Sequence, residues 1–253
     1  AIAQLSATLE STTDGILVTD LGQRVLRCNE RFREMWRLAP EMIAGGIGLA
    51  IDYLLVQVKD PEAARERFSA LYERQLHAAR AVIELRDGRV IERSSLPLFV
   101  DGVDTGRVHN FRDVSEHVRD TRMQAALHGI SEAAHHTHDL SELFQRIHGI
   151  IGELLPARNF FVALYDAASN QISFPYFVDP LEDPPPPAKP GRGLTEYVLR
   201  TGEPLLASPE VFEELVALGE VEEVGPSSVD WLGVPLMSDG AILGALVVQS
   251  YTA

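Results

Sequence analysis

The side chains able to carry out chemistry are few in this chain, which has one cysteine and eight histidines. With Cys28 alone, an internal disulfide and a multi-cysteine zinc site are both excluded. Four of the histidines lie between residues 128 and 138, and His135 and Asp139 are four residues apart, so both can lie on one helical face as metal ligands. The pattern fixes no third ligand. We therefore predict no metal site and favour a solvated, pH-sensitive corner between two helices.

Sequence patterns of known catalytic sites are also missing. The chain has no nucleophile elbow, no phosphate-binding glycine loop and no HExxH run. Gly191-Arg192-Gly193 precedes a predicted helix, whose N-terminus can hold an anion. A GxG triplet alone is a weak signal, so we predict no enzymatic activity in this chain.

The charge of the chain is strongly negative and unevenly distributed. The total of 22 basic and 37 acidic residues gives a net charge of −15. Residues 1–119 carry 16 basic and 18 acidic side chains, whereas residues 120–253 carry 6 and 19. The step near residue 120 indicates two units, and the negative charge argues against nucleic acid as a partner. No apolar run approaches the ~18–20 residues that span a bilayer, so we expect no membrane insertion and a cytoplasmic protein.

Residues 1–119 predict a sheet with several short helices inserted into it. Gly15–Asp20 is an apolar, β-branched run closed by a turn, and a second short strand follows. Asn29 is the expected N-cap of a helix that carries aromatic residues on one face. From residue 81 the apolar side chains alternate, and Asp87-Gly88 predicts a hairpin. Two strands, several helices and three antiparallel strands predict a single sheet with helices on one face.

Residues 120–253 begin as helix and continue as an alternation of strands and helices. Residues 114–138 carry an apolar stripe at helical spacing, with no glycine- or proline-rich linker before it. A second helix over residues 140–155 ends at Pro156. Two strands, a proline-rich loop, two helices and a final hairpin turned at Asp239-Gly240 follow.

The first half resembles a PAS domain over about residues 5–120. The words that carry the resemblance are GILVTD, RVLRCNERFREMW, the hairpin at Asp87-Gly88 and FRDVSEHV. Asp113-Val114-Ser115 looks like the triplet at which PAS sheets connect to an exit helix. It implies a signal relay through Asp113, Ser115 and Glu116, in which Asp113 caps the helix and Glu116 completes a capping box. The resemblance also implies a ligand cavity, with candidate lining residues Asn29, Phe32, Trp36, Arg93 and Asn110.

The second half resembles a GAF domain over about residues 122–253. The matching words are LFQRIHGIIGELLPARNFFVALYD, GRGLTEYVLRTGEPLL and SVDWLGVPLMSDGAILGALVVQSY. Phe174 and Tyr176 are two residues apart in a strand, so we expect them on one face of the sheet. The resemblance implies a cavity above that face, with candidate lining residues Phe174, Tyr176, Thr195, Tyr197 and Trp231. In both halves the alternative is that these side chains simply fill the core.

We predict no cofactor. Cys28 lies in the order Cys-Asn-Glu-Arg-Phe, which differs from the motif of flavin-binding PAS domains, so no flavin adduct is expected. The second half has no cysteine, which excludes covalent bilin attachment and the thiolate chemistry of GAF-type methionine sulfoxide reductases. His77 lies where haem-binding PAS domains place a ligand, but its neighbours are polar, and we expect no haem.

These observations predict an α+β protein with a PAS domain and a GAF domain joined by a continuous helix. The expected boundaries are residues 1–119 for the PAS domain with a short lead helix, 120–138 for a helical linker, and 122–253 for a GAF domain without its closing helix. The resemblance implies the sensory region of a bacterial sensor histidine kinase or diguanylate cyclase, as a fragment, which senses a small molecule or a conformational input. We expect a homodimer with a coiled-coil linker. The alternative is a ligand-free dimerisation module that amplifies signals received elsewhere.

Overall fold

The structure is a computed structural model that describes residues 9–39, 42, 47–73, 78–137, 139–226 and 228–251. Most of the predicted lead helix, together with His77 and His138, lies outside these residues. The chain divides into two compact units, Ala1–Thr121 and Arg122–Ala253, here called unit 1 and unit 2.

Unit 1 contains a five-stranded antiparallel sheet with strand order β2-β1-β5-β4-β3. The elements in chain order are β1 Gly15–Asp20, β2 Val25–Cys28, α1 Glu30–Met35, α2 Ile47–Gln57, α3 Pro61–Glu73, β3 Ala79–Glu84, β4 Val90–Val100 and β5 Val103–Asp113. The helices are inserted between β2 and β3, as the order of apolar periods predicts.

The central strand pair of unit 1 joins β1 to β5, with Gly15 opposite Phe111 and Asp20 opposite Gly106. A Cβ on Gly106 would lie 2.0 Å from the carbonyl oxygen of Thr19, so only glycine allows this pairing. At Gly88, φ is +87°, which suits the predicted Asp-Gly hairpin turn.

The core of unit 1 lies between the helices and one face of the sheet. Phe32, Met35 and Trp36 from α1 and its C-terminus pack against Leu17 and Phe111 from the sheet. On β5, Phe111 shares its face with the buried side chains of His109 and Arg107, two and four residues earlier, because alternate residues of a strand share a face. The helical face of the sheet is therefore apolar at one end and polar at the other.

Helix α4, Ser115–His136, follows β5 directly and is continuous over 22 residues. This continuity confirms the predicted helical connection. In the part of the chain that the structure describes, no helix has both the length and the apolar character needed to cross a membrane.

Unit 2 contains a second five-stranded antiparallel sheet, with strand order β7-β6-β10-β9-β8. Its further elements are α5 Leu140–Leu154, β6 Asn159–Asp166, β7 Gln171–Val178, α6 Leu194–Thr201, β8 Leu205–Ala207, α7 Pro209–Ala217, β9 Asp230–Ser238 and β10 Ala241–Ser250. Phe160 joins a cluster with Phe144 of α5, and Phe161 joins one with Val198 of α6. Successive side chains of β6 thus enter different clusters, which explains why this strand is apolar throughout.

The prediction that Phe174 and Tyr176 share a face of the sheet is wrong. Val162 pairs with Tyr176 and Leu164 pairs with Ser173, so β7 carries one extra residue at this point. Phe174 belongs to the cluster of Phe161 and Tyr176 to that of Phe160. The bulge contains Pro175, which has no N–H to give to the ladder, and it reverses the alternation of side chains.

Candidate functional site

The junction between the sheet of unit 1 and α4 is held by side-chain hydrogen bonds. The Oδ1 atom of Asp113 accepts hydrogen bonds from the Ser115 backbone N–H at 3.0 Å and from the Ser115 hydroxyl at 2.5 Å. The Ser115 hydroxyl oxygen accepts one from the backbone N–H of Val90 at 2.8 Å, and Val114 N–H donates to the Val90 carbonyl at 2.9 Å. Hydrogen bonds therefore connect the first turn of α4 to Asp113 at the end of β5 and to Val90 at the start of β4.

The three predicted junction residues have different surroundings. Asp113 caps the helix by bonding two residues ahead, as an Asx turn does, and Ser115 is buried. Glu116 is exposed in the first turn, where its charge complements the helix dipole. The relay assignment of these three residues stays a prediction, and the hydrogen bond from Val90 is a link that the sequence pattern did not indicate.

A second polar link fastens the start of β1 to the end of β5. The guanidinium of Arg112 donates two hydrogen bonds to the carboxylate of Asp14, at 3.1 Å and 2.8 Å. The Arg112 hydrogen bonds lower the pKa of Asp14 more than burial raises it, with a further hydrogen bond from Asn110. Bidentate pairs of this kind fix orientation as well as charge.

Asn29 is the centre of a buried hydrogen-bond network and not an isolated polar group. Its Oδ1 accepts from Ile16 N–H at 2.7 Å and from Phe32 N–H at 3.0 Å, which makes it the predicted N-cap of α1. Its Nδ2 donates to the carbonyls of Leu9 and Asp14, at 3.0 Å and 2.9 Å. The amide thus connects the chain before β1 to the start of α1.

Phe32 and Trp36, two candidate cavity residues, are each 2% exposed and pack on Phe111. Phe111 has ring-centroid distances of 5.1 Å to Phe32 and 5.7 Å to Trp36, and the Trp36 pair is edge-to-face. These distances are those of favourable aromatic pairs. This end of the helical face is closely packed.

The other end of the helical face is polar and positively charged. Arg93 on β4 is 5% exposed and Arg107 on β5 is 3% exposed. The guanidinium carbon of Arg93 lies 5.9 Å from the ring centroid of Phe68, and Arg107 donates to the Ser95 hydroxyl at 2.9 Å. Fully buried arginines are rare, so this pair is the least expected feature of the core.

Asn110 and His109 occupy opposite faces of β5. Asn110 is half-buried and its side chain bonds Asp14, whereas His109 is fully buried beside Phe111 on the helical face. The residue of this stretch that faces α3 is therefore His109, which sequence reasoning missed. Counting back two residues from Phe111 would have found it.

His109 lies in a short chain of polar side chains under α3. The Tyr72 hydroxyl is 2.7 Å from Thr19 Oγ1 and 3.0 Å from His109 Nε2. Burial, together with Arg93 and Arg107, lowers the pKa of His109 to about 3, so the imidazole is neutral at pH 7. Its Nδ1 atom is buried and has no hydrogen-bond partner in the described part of the chain.

In unit 2, Trp231 and Phe174 pack in the cluster on the α6 side. Trp231 is 4% exposed, and a Cβ on Gly233 would lie 2.3 Å from its ring, so Gly233 makes room for the indole. Phe174 contacts Phe161 and Phe177 at centroid distances of 5.8 Å and 6.0 Å. Phe174 and Trp231 therefore belong to one apolar cluster, and their role as cavity lining stays a prediction.

Thr195 and Tyr197 are half-buried on α6. The guanidinium of Arg200 lies 5.3 Å from the centroid of the Tyr197 ring. The carboxylate of Glu196 accepts from Gly191 N–H at 3.1 Å, which holds the loop before the helix. The predicted lining of the GAF cavity, from which the bulge separates Tyr176, stays a prediction.

Tyr176 belongs instead to a cluster with His148 of α5. The His148 ring stacks on Phe160 at 4.6 Å, its Nε2 donates to the carbonyl of Ala157 at 2.6 Å, and its Nδ1 is 3.0 Å from the Tyr176 hydroxyl. Because a carbonyl only accepts, the Nε2 nitrogen carries a proton and is the donor in its bond to Ala157. His148 was not singled out from the sequence, where only its helical spacing with Phe144 indicates it.

Within residues 9–39, 42, 47–73, 78–137, 139–226 and 228–251, no three or more His, Cys, Asp or Glu side chains are grouped as metal ligands. Burial raises the pKa of the Cys28 thiol and so reduces its thiolate fraction.

Comparisons with known proteins agree with the division of the chain. A family model described as PAS fold matches residues 9–122, and one described as GAF domain matches residues 137–253. No curated protein matches the chain.

Three solved structures illustrate its likeness to known domains. The sensor region of a sensor histidine kinase is 24% identical, with 42% of this chain and 40% of that chain covered, at a TM-score of 0.35. A PAS domain from Colwellia psychrerythraea is 19% identical, with 46% and 98% covered, at a TM-score of 0.35. Free methionine-R-sulfoxide reductase from Neisseria meningitidis is 19% identical, with 53% and 75% covered, at a TM-score of 0.42. The chain thus spans about two fifths of the histidine kinase sensor region.

The two family matches together cover both sheets and agree with the units of the structure. The predicted family resemblance and the predicted fold class are confirmed. The chain consists of a PAS domain followed by a GAF domain, two families of sensory domain in signalling proteins.

Proposed function

We propose that this chain is a cytoplasmic sensory and relay region of a bacterial signalling protein. The PAS unit receives a small molecule or a conformational input, and α4 carries the resulting change toward an output domain of the histidine kinase or diguanylate cyclase type. PAS and GAF domains are sensory and regulatory, which is consistent with a non-catalytic role for this chain.

The observation that carries this proposal is the junction of Asp113, Ser115 and Val90. A shift of β4 relative to β5 changes the hydrogen bonds to Ser115, and Ser115 is the first residue of α4. Since α4 is an unbroken helix, displacement of its first turn is passed along its length. The junction therefore couples the sheet to the helix.

Hydrogen exchange of the whole chain, with and without Ser115→Ala, tests the relay. We expect faster exchange at Val90 and in residues 116–136, because the substitution removes the bond from sheet to helix. Ser131→Ala, an exposed serine of the same helix, is the matched control and leaves exchange unchanged. If Ser115→Ala changes exchange only at the strand ends, and not along α4, the relay is refuted.

Dimerisation is part of the same proposal and is supported by an apolar stripe on α4. Met123 and Leu127, four residues apart on one face, are 53% and 61% exposed. We expect a parallel homodimer in which α4 pairs with its copy as a coiled coil. Light scattering at micromolar concentration should show a dimer of the wild-type chain. Leu127→Glu should give a monomer, whereas Gln124→Glu, a control on the same helix, should leave the dimer intact. A monomeric wild-type chain would contradict this part.

A second candidate function is a ligand-free dimerisation module. It is favoured by the closely packed ring cluster of Phe32, Trp36 and Phe111, which leaves little room at that end of the PAS core. Native mass spectrometry of the purified chain separates the two functions. A co-purified small molecule supports sensing, whereas empty protein with no thermal shift against nucleotides, amino acids and organic acids supports the ligand-free module.

A further inference from the structure

The least explained group in unit 1 is the buried guanidinium of Arg93. It is 5% exposed, and its Nε has no hydrogen-bond partner among the residues that the structure describes. Burial of an ionised group is costly unless a countercharge and hydrogen bonds compensate for it. Among the described residues, no carboxylate forms an ion pair with Arg93.

The surroundings of Arg93 increase this imbalance. Arg107 and Arg67 both repel its charge, and Tyr72 is the one described group that favours it electrostatically. Burial is the largest of these effects and lowers the pKa of Arg93 to about 10, which still leaves it charged at pH 7. Neighbouring His109 is neutral and supplies no negative charge.

Arg93 faces a cleft between α3 and the edge strand β3. The cleft has a volume of about 260 Å³, and its apolar walls are Ala63 and Ala64 on α3 and Ala81 and Ile83 on β3. This is close to the lower end of the ~300–1,000 Å³ typical of ligand pockets, so it suits a small molecule.

The acidic side chains at the cleft are already engaged. The carboxylate of Glu84 pairs with Lys59 at 2.9 Å, and Asp60 accepts from Ala63 N–H at 3.1 Å as a cap of α3. Both acidic residues are exposed at the rim, whereas Arg93 is buried. Among the described residues, neither of these two carboxylates is left to act as the countercharge of Arg93, which leaves room for a carboxylate ligand in the cleft.

We propose that this cleft, here called the Arg93 cleft, binds a small organic carboxylate. The carboxylate accepts hydrogen bonds from the guanidinium of Arg93, whose planar donors match its geometry. The short apolar part of the ligand lies against Ala63, Ala64 and Ala81. This inference rests on the sensory role proposed above and assigns a chemical class to the input of the PAS unit.

Titration calorimetry of the whole chain with butyrate, hexanoate and benzoate tests the assignment. Butyramide and benzamide are uncharged analogues of nearly the same shape, and inorganic phosphate tests whether any oxyanion suffices. We expect at least one carboxylate to bind about tenfold to a hundredfold more tightly than its amide, because the charged hydrogen bonds to Arg93 are lost in the amide. Equal binding of carboxylate and amide, phosphate binding as tight as that of the carboxylates, or no carboxylate binding up to about 10 mM overturns the proposal.

Substitutions at Arg93 connect binding to this site. Arg93→Met should abolish carboxylate binding without lowering the melting temperature of the unliganded chain, because it removes a buried charge that lacks a countercharge. Arg93→Lys keeps the charge but loses the planar donors, so we expect about tenfold weaker binding. Arg80→Gln, an exposed arginine on neighbouring β3, is the matched control and leaves binding unchanged. Carboxylate binding that survives Arg93→Met overturns the site.

This test and the test of the relay fail separately. The Ser115→Ala exchange experiment uses no added carboxylate, so it is unaffected if the Arg93 cleft does not bind one. A carboxylate that binds through Arg93 but leaves exchange along α4 unchanged would support the site and contradict the relay.

Discussion

Replacement of Asn29 by alanine gives the sharpest test of how unit 1 is held together. The side chain is 1% exposed, and its oxygen accepts from two backbone N–H groups, those of Ile16 on β1 and Phe32 in α1. Its nitrogen donates to backbone carbonyls of the segment before β1. One amide thus bonds backbone groups of a strand, of a helix and of the segment before the strand.

The expected cost follows from what alanine leaves unpaired. Loss of the N-cap bond to Phe32 costs about 1 kcal/mol. The Ile16 N–H, bonded at 2.7 Å in the native chain, becomes a buried donor without an acceptor, which costs about 1–3 kcal/mol. We therefore expect Asn29→Ala to lower the free energy of unfolding of unit 1 by about 2–4 kcal/mol, a large part of the ~5–15 kcal/mol of a typical domain.

Urea unfolding followed by tryptophan fluorescence measures this effect in unit 1 alone. The chain has two tryptophans, Trp36 in unit 1 and Trp231 in unit 2, so a Trp231→Phe background leaves Trp36 as the reporter. Asn29→Ser keeps a capping oxygen and should recover about 1 kcal/mol. Glu30→Ala, next along α1, removes only an exposed ion pair and should cost under about 1 kcal/mol.

Two results would refute this reasoning. A cost of Asn29→Ala below about 1 kcal/mol would mean that water satisfies the Ile16 N–H after substitution. Full recovery by Asn29→Ser would mean that the helix cap accounts for the whole effect, and that the links to β1 and the preceding segment contribute nothing.

Three further outcomes are expected. Gly233→Ala places a methyl group against the Trp231 ring and should destabilise unit 2 by about 1–3 kcal/mol, measured by Trp231 fluorescence during unfolding. An unchanged midpoint of the unfolding curve would contradict the close packing of Gly233 on Trp231. The pKa of Asp14 is lower in the folded chain than in the unfolded chain. Its pair with Arg112 therefore stabilises the folded chain above about pH 4, and this stabilisation is lost as the pH falls through the folded pKa. Arg112→Gln should make the free energy of unfolding depend less on pH in this range, measured by acid unfolding. The pKa of His109 is lowered to about 3, so below about pH 6.5 the unfolded chain binds one more proton than the folded chain. The free energy of unfolding of unit 1 therefore falls by about 1.4 kcal/mol per pH unit as the pH decreases. His109→Gln should remove this slope between pH 6.5 and 5, and an unaltered slope would refute the assignment.

The parts of the fold that the sequence predicts are those determined by local chemistry. The cap at Asn29 and the turn at Asp87-Gly88 follow from residue type, because few side chains satisfy a helix N-terminus or a left-handed turn. The long helix after Asp113 follows in the same way, since it contains no proline and only one glycine, Gly129. Such features depend on neighbours within four residues.

The candidate site was harder to predict because it depends on register. A period-two argument placed Phe174 and Tyr176 together, and a single extra residue at Pro175 separated them. Similarly, Asn110 was singled out as polar, whereas His109 one residue earlier faces the helices. Strand register is set by pairing with residues far away in the chain, and a shift of one position exchanges the two faces.

Both sheets place their first long strand beside their last, β1 beside β5 and β6 beside β10. The centre of each sheet therefore closes only when the end of its unit has left the ribosome, whereas hairpins such as β4–β5 can form earlier. Contacts so distant in sequence slow folding, because a long loop must close before they form. Truncation inside β5 or β10 would thus remove the central strand of a sheet rather than an edge strand. We expect each unit to fold in a single late step during synthesis.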